Sequence, residues 1–172
     1  MDKFSIITDT REQRGLFGDK KITFEDYKIK VNSNNKEEWL KYINSFCKKG
    51  HIFGTLQVGD YSIKGYEDKF VIERKSLPDL FGTLSSGHKR FKKELERARE
   101  YEYFAIVIDG SYSSCLNKEF DGSYHIKMRG YVITSILFTL HMKYNINIFF
   151  SNGRTESKNI IKELMKSYLK TK

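Results

Sequence analysis

The chain has 172 residues, enough for one domain with a proper core, and its 39% apolar and 31% charged content is that of a water-soluble protein. No run approaches the roughly 18 apolar residues of a membrane span, which leaves no candidate membrane-spanning helix. Lys and Arg outnumber Asp and Glu by 31 to 22, and the net charge of +9 suggests a polyanionic partner, while charge alone does not separate nucleic acid from an acidic membrane surface or simple solubility.

Lys3–Asp9 is a short apolar run ending in a carboxylate, the pattern of a buried strand. Thr10-Arg11-Glu12-Gln13 follows, then an irregular polar stretch to Asn35 in which Phe24–Val31 adds an edge strand. Asn35 opens a helix that runs to about Lys49, with Trp39, Leu40, Ile43 and Phe46 at helical spacing and Gly50 as its stop. Ile52–Val58 reads as another strand.

Two short alternating runs, Asp60–Lys64 and Lys69–Lys75, flank the polar turn Gly65-Tyr66-Glu67-Asp68, a β-hairpin signal. A turn centred between Tyr66 and Glu67 sets Asp60 opposite Glu73, with Cβ atoms about 4.5–5.5 Å apart. Lys75 lies two residues beyond Glu73 and shares its face. Two carboxylates and an ammonium thus converge, provided the register does not slip by one. Carboxylate oxygens suit a hard divalent cation such as Mg²⁺, which polarises a phosphoryl group and lowers the pKa of bound water. A solvated hairpin carrying a Glu–Lys pair has the same spacing, so the motif alone does not decide.

Ser76-Leu77-Pro78-Asp79 reads as a helix start with a capping serine and a first-turn proline, and that helix should end near Gly82. Ser85-Ser86-Gly87 is a loop, and a second helix runs from about His88 to Tyr101. Phe91, Leu95 and Ala98 share its inner face. Lys89, Arg90, Lys93 and Arg97 supply basic charge that can hold a phosphate backbone, or that simply stays solvated. Tyr103–Asp109 is an apolar strand of the kind buried on both faces, and Ser111–Ser123 is a polar loop. Tyr124–Tyr144 predicts a helix apolar nearly all round, either a core helix or one shared with a second copy. Ile146–Phe150 is a last strand and Glu156–Lys170 an amphipathic helix. This order implies an α/β fold with a central mixed sheet flanked by helices.

Cys47 and Cys115 are too few for a disulfide framework and have no CxxC spacing. His51, His125 and His141 show no ligand spacing, His88 in the loop after the ERK helix either touches DNA or is incidental, and the absence of a P-loop argues against a nucleotide cofactor. The N-terminus lacks a signal-peptide hydrophobic region, so a cytoplasmic location is expected, in a cell or in the host of a virus that encodes the chain.

Asp9-Thr10-Arg11-Glu12, then Gly59-Asp60-Tyr61, then Glu73-Arg74-Lys75 with Asp79 beyond, resembles the GD…ERKxxxD signature. That signature belongs to the XPF-type structure-specific endonucleases, a branch of the PD-(D/E)xK nucleases. Ser86-Gly87, Arg90-Phe91 and Glu94-Leu95 look like the glycine/arginine helix that follows ERK in that family. The resemblance covers nearly the whole chain and implies a restriction-endonuclease-like fold with Mg²⁺-dependent cleavage of DNA, Mn²⁺ substituting. It implies Asp60 and Glu73 as metal ligands and Lys75 as the water-activating or charge-stabilising group. Asp9 is implied as an auxiliary ligand, Glu12, Arg11 and Arg74 as neighbours of metal waters or phosphate, Arg90 as a contact to the scissile strand, and Asp79 as a structural residue that caps the helix or pairs with a basic neighbour.

Residues 1–172 are expected to form one nuclease domain without the helicase or helix-hairpin-helix modules of larger members. Repair, recombination and phage replication, acting on branched or flap DNA, are the roles this family suggests. Its domains also pair, so the Tyr124–Tyr144 helix is a candidate homodimer surface. A non-catalytic DNA-binding or scaffold subunit and an RNA-directed nuclease are the alternatives.

Overall fold

A computed structural model describes residues 4–12, 15–17, 36–45, 47 and 49–172 of the chain. Its described strands form one six-stranded mixed sheet in the order β2-β1-β3-β4-β5-β6. They are β1 (Ile6–Asp9), β2 (His51–Gly54), β3 (Tyr61–Ile63), β4 (Phe70–Ser76), β5 (Tyr103–Asp109) and β6 (Asn147–Ser151). β1 runs parallel to β2 and antiparallel to β3, β3 and β4 are antiparallel, and β4, β5 and β6 are mutually parallel. The helices are α1 (Lys36–Asn44), α2 (Leu77–Leu84), α3 (His88–Ala98), α4 (Tyr112–Asn117), α5 (Gly130–Tyr144) and α6 (Arg154–Lys170). None of the described helices is long and apolar enough to cross a membrane.

The period of two along each strand builds the layers. Val71, Ile106 and Ile108 point to one face, where Leu80, Phe91, Leu95, Ile133 and Leu137 of α2, α3 and α5 cover them. Phe70, Ile72, Ala105 and Val107 point to the other, against Ile161 and Met165 of α6. Trp39 and Ile43 of α1 close the β2 edge over Phe53. The expected central mixed sheet between helices is the architecture found.

Several boundaries move, each for a local reason. The first helix ends at Asn44 rather than near Lys49, where the Asn44 side chain turns to bond the backbone of Phe53. The strand expected over Ile52–Val58 stops at Gly54, while Leu56 and Val58 remain buried in a loop. Gly82 does not end α2, because Phe81 and Leu84 continue its buried face. α3 stops at Ala98, short of Tyr101. α6 starts two residues early, at Arg154.

The Ser111–Ser123 segment holds a helix, α4, capped by Ser111 and ended by Lys118 in the left-handed region. α5 begins at Gly130, not Tyr124: Ile126 and Met128 pack against the core from the irregular chain ahead of it. A Cβ on Gly130 would lie 2.0 Å from the Leu116 carbonyl oxygen, so only glycine lets α5 seat this closely on α4. The candidate edge strand Phe24–Val31 lies outside the described residues, as do Gln13 and Phe46.

Candidate active site

The hairpin pairs in the expected register, with Tyr61 opposite Ile72. Asp60 precedes β3 and is held from both neighbouring strands. Its N–H donates to the Ile72 carbonyl at 2.9 Å, its own carbonyl accepts from the Asp9 N–H at 2.8 Å, and its carboxylate accepts from the Arg74 N–H at 2.8 Å. Gly59 makes this approach passable: its φ is +72° and a Cβ there would lie 2.5 Å from Val71. Glu73 and Lys75 share the face of Val71, and the Lys75 ammonium lies 2.5 Å from a Glu73 oxygen. The Phe91 ring of α3 packs over that ammonium, 5.1 Å from ring centroid to nitrogen.

Asp60, Glu73 and Lys75 line one cleft of about 670 Å³ between the hairpin and the α2–α3 pair. Glu12, Asp79, Arg90 and Glu94 line it as well. Burial pushes the Asp60 carboxyl well above the usual carboxylate range, the nearby Glu73 charge adds to that, and the Arg74 N–H partly offsets it. Glu73 is 7% exposed; burial raises its pKa too, against the pull of Lys75, with Glu94 adding repulsion. Burial works against the Lys75 ammonium, but the Glu73 charge and hydrogen bond outweigh it and raise its pKa, with Glu94 and Asp60 adding to the effect.

Not every candidate residue reaches the cleft. Asp9 is fully buried and does not line it; its carboxylate accepts from the Arg11 N–H, the Arg11 Nε and the Leu56 N–H at 2.7–2.8 Å. Arg11 in turn donates to the Leu56 carbonyl, so the two residues clasp the loop after β2. Glu12 stands on the rim, 3.6 Å from the Arg74 guanidinium. Arg74 contributes to the cleft lining, but its side chain leaves by the opposite face of β4, where its guanidinium pairs with Asp109. Asp79 closes a reciprocal cap with Ser76, accepting from its hydroxyl at 2.6 Å while donating its N–H at 3.3 Å. Lys89, Lys93 and Arg97 are exposed on α3 but stand outside the cleft lining, unlike Arg90.

Two cleft-linked residues went unassigned in the sequence. Glu94 follows Arg90 by one helical turn, so that spacing could have put both on the cleft. Asp109 ends an apolar strand just as Asp9 does, the one sign that it faces the same tip of the sheet.

Among the described residues, no three His, Cys, Asp or Glu side chains cluster as a metal cage. Mg²⁺ needs no such cage: one or two carboxylates suffice when waters and substrate phosphates complete its octahedron. Asp60 and Glu73 are crowded, buried and repel one another, and a hard cation would relieve that repulsion. The donor set therefore fits Mg²⁺ or Mn²⁺. An open groove of about 740 Å³ along α5, lined by Tyr131, Phe138 and Met142, is larger but carries no acid, base or nucleophile pair.

A model of the ERCC4 domain family matches residues 9–164. Among solved structures, XPF from Aeropyrum pernix superposes with a TM-score of 0.60 at 18% identity, over 95% of this chain and 61% of that one. XPF from Aeropyrum pernix in complex with DNA gives 0.59 at 19% identity, over 99% of this chain and 67% of that one. The likeness at such identity concerns the fold, and the chain spans about 61% to 67% of these relatives' length. No curated protein matches the sequence.

Proposed function

The chain belongs to the ERCC4 domain family, and from that membership together with the cleft we propose that it is a divalent-metal-dependent endonuclease acting on DNA. The observation that carries this reading is the convergence of Asp60, Glu73 and Lys75 on one wall of a cleft whose opposite wall bears Arg90. Asp60 and Glu73 would hold the metal. Bound there, Mg²⁺ or Mn²⁺ supplies Lewis-acid polarisation of a phosphodiester and a water of lowered pKa.

The chain's own groups do the rest. Lys75 has a raised pKa, so at neutral pH it is an ammonium: it offsets negative charge growing on the phosphorane instead of abstracting a proton. Phe91 and Glu73 fix where that charge sits. Arg90 would hold the backbone of the cut strand, and Lys89, Lys93 and Arg97 would extend the basic surface along α3 beyond the cleft. Asp9, with its oxygens already engaged, would position Arg11 and the loop at Leu56 rather than ligate a metal. Residues 1–172 would act as one nuclease domain, and a second copy would cover the exposed Tyr131, Phe138 and Met142 of α5.

Labelled single-stranded, duplex, flap, fork and four-way-junction DNA, with matched RNA, incubated with Mg²⁺ or Mn²⁺, tests the reading. Cutting of at least one DNA substrate, lost on adding EDTA, is expected. Asp60→Asn and Glu73→Gln should each lower the rate by about a thousandfold or more, since a metal contributes several kcal/mol to such a transition state. Undiminished cutting by both variants would remove the basis of the assignment.

A further inference from the structure

Asp109 is a buried carboxylate that no step above uses. It ends β5, on the face of the sheet away from the cleft, and its side chain is 8% exposed. One oxygen pairs with the Arg74 guanidinium and the other accepts from the Ser157 hydroxyl of α6. Ser157 is itself 2.7 Å from the Ser151 hydroxyl of β6, which donates to the Ile108 carbonyl at 2.9 Å. Arg74 is 9% exposed at its side chain, and its Nε is buried with no hydrogen-bond partner. Its far end lies 3.6 Å from Glu12 on the cleft rim, and its N–H holds the Asp60 carboxylate at 2.8 Å.

A buried ion pair is seldom a source of stability. Taking two charges from water costs about as much as their attraction returns, and apolar residues of similar volume often serve as well or better. An incompletely bonded guanidinium makes this pair costlier still. What the pair does have is direction. It links α6, β5 and β4 to a loop carboxylate at the metal-proposed end of the cleft, and it fixes the strand residue whose amide aims Asp60.

We propose that Asp109, set by Ser157, is a positioning residue that holds Arg74 so that Glu12 keeps its place on the rim and Asp60 its place as a ligand of a divalent cation. This rests on the metal-dependent reading above and extends it through the sheet to α6. Arg74 is then a strut between two carboxylates rather than a phosphate contact.

Mn²⁺ binding to the metal-free full chain, followed by electron paramagnetic resonance without substrate, provides the test. Wild type should bind and Asp60→Asn should not. Asp109→Asn should bind roughly 10- to 100-fold more weakly, the range for groups that orient metal ligands. The double variant Arg74→Met with Asp109→Leu exchanges the pair for apolar side chains. Its melting temperature should match or exceed that of Asp109→Asn while its Mn²⁺ affinity stays equally low. A double variant that binds like wild type makes the pair structural only and overturns the proposal, even where Asp109→Asn alone fails to fold. Wild type that does not bind, or Asp60→Asn that binds equally well, brings down the metal reading itself and this inference with it.

Discussion

Asp60 and Glu73 set the pH response of the metal-free protein. Both carboxyls are raised above their ordinary range, Asp60 the further of the two, because burial favours the neutral form in the folded state, with the Glu73 charge adding to this at Asp60 and the Glu94 charge at Glu73. A carboxyl whose folded pKa is raised binds protons more tightly folded than unfolded. Its contribution is present in full below the ordinary carboxylate range and is lost as pH rises through the folded pKa. In EDTA, the wild-type melting temperature should therefore carry a downward component as pH rises above the ordinary carboxylate range, one that Asp60→Asn diminishes. At pH 8 the variant should melt higher than wild type, with each kcal/mol of relief worth roughly 2–4 °C in a chain of this size. Saturating Mg²⁺ should narrow or reverse that gap by stabilising only the wild type. Thermal denaturation followed by circular dichroism across this pH range checks this; an Asp60→Asn protein less stable than wild type at pH 8 would contradict the crowding described for the site.

α4 and α5 show how a single atom can position an element. Gly130→Ala would drive a methyl group into the carbonyls of Leu116 and Cys115, backbone atoms that cannot swing aside. We expect about 3 kcal/mol of destabilisation, seen as a melting temperature lower by roughly 6–12 °C. Neither this contact nor α4 was legible in the sequence: six residues, half of them polar, carry no helical period, and only the Ser111–Ser114 cap marks the start. The premature start at Tyr124 has the same origin, since Ile126 and Met128 are apolar because they are buried in irregular chain, not because they are helical. The hairpin was legible because turn chemistry and alternation agree on one register, and register alone places Asp60, Glu73 and Lys75 together. Arg74 was the hardest to place. Its neighbours in the sequence face the cleft, while its partner Asp109 belongs to another strand, and pairing across a sheet face leaves no mark on local spacing.

At the scale of the whole molecule, the helices divide unequally between the sheet faces, and α5 keeps an apolar side uncovered. Tyr131 is 57% exposed, Phe138 50% and Met142 80%, a concentration of large side chains that isolated surface residues do not produce. Sedimentation velocity should show a concentration-dependent dimer, and Phe138→Lys with Met142→Lys should return it to monomer with secondary structure intact. A monomer at every concentration would leave that face to another occupant.

Asp60 and Glu73 belong to a single hairpin, so the chain can bring them together by closing one short turn, an event of roughly microseconds. The contact between Arg74 and Asp109 needs β5 to dock, and Ser157 joins only when α6 arrives. A nascent chain, synthesised from its N-terminus, meets these contacts in the same order. Its least comfortable juxtaposition is made early and its bracing late. The residues that brace the two acids, in β5 and α6, thus lie later in the chain than the hairpin they support.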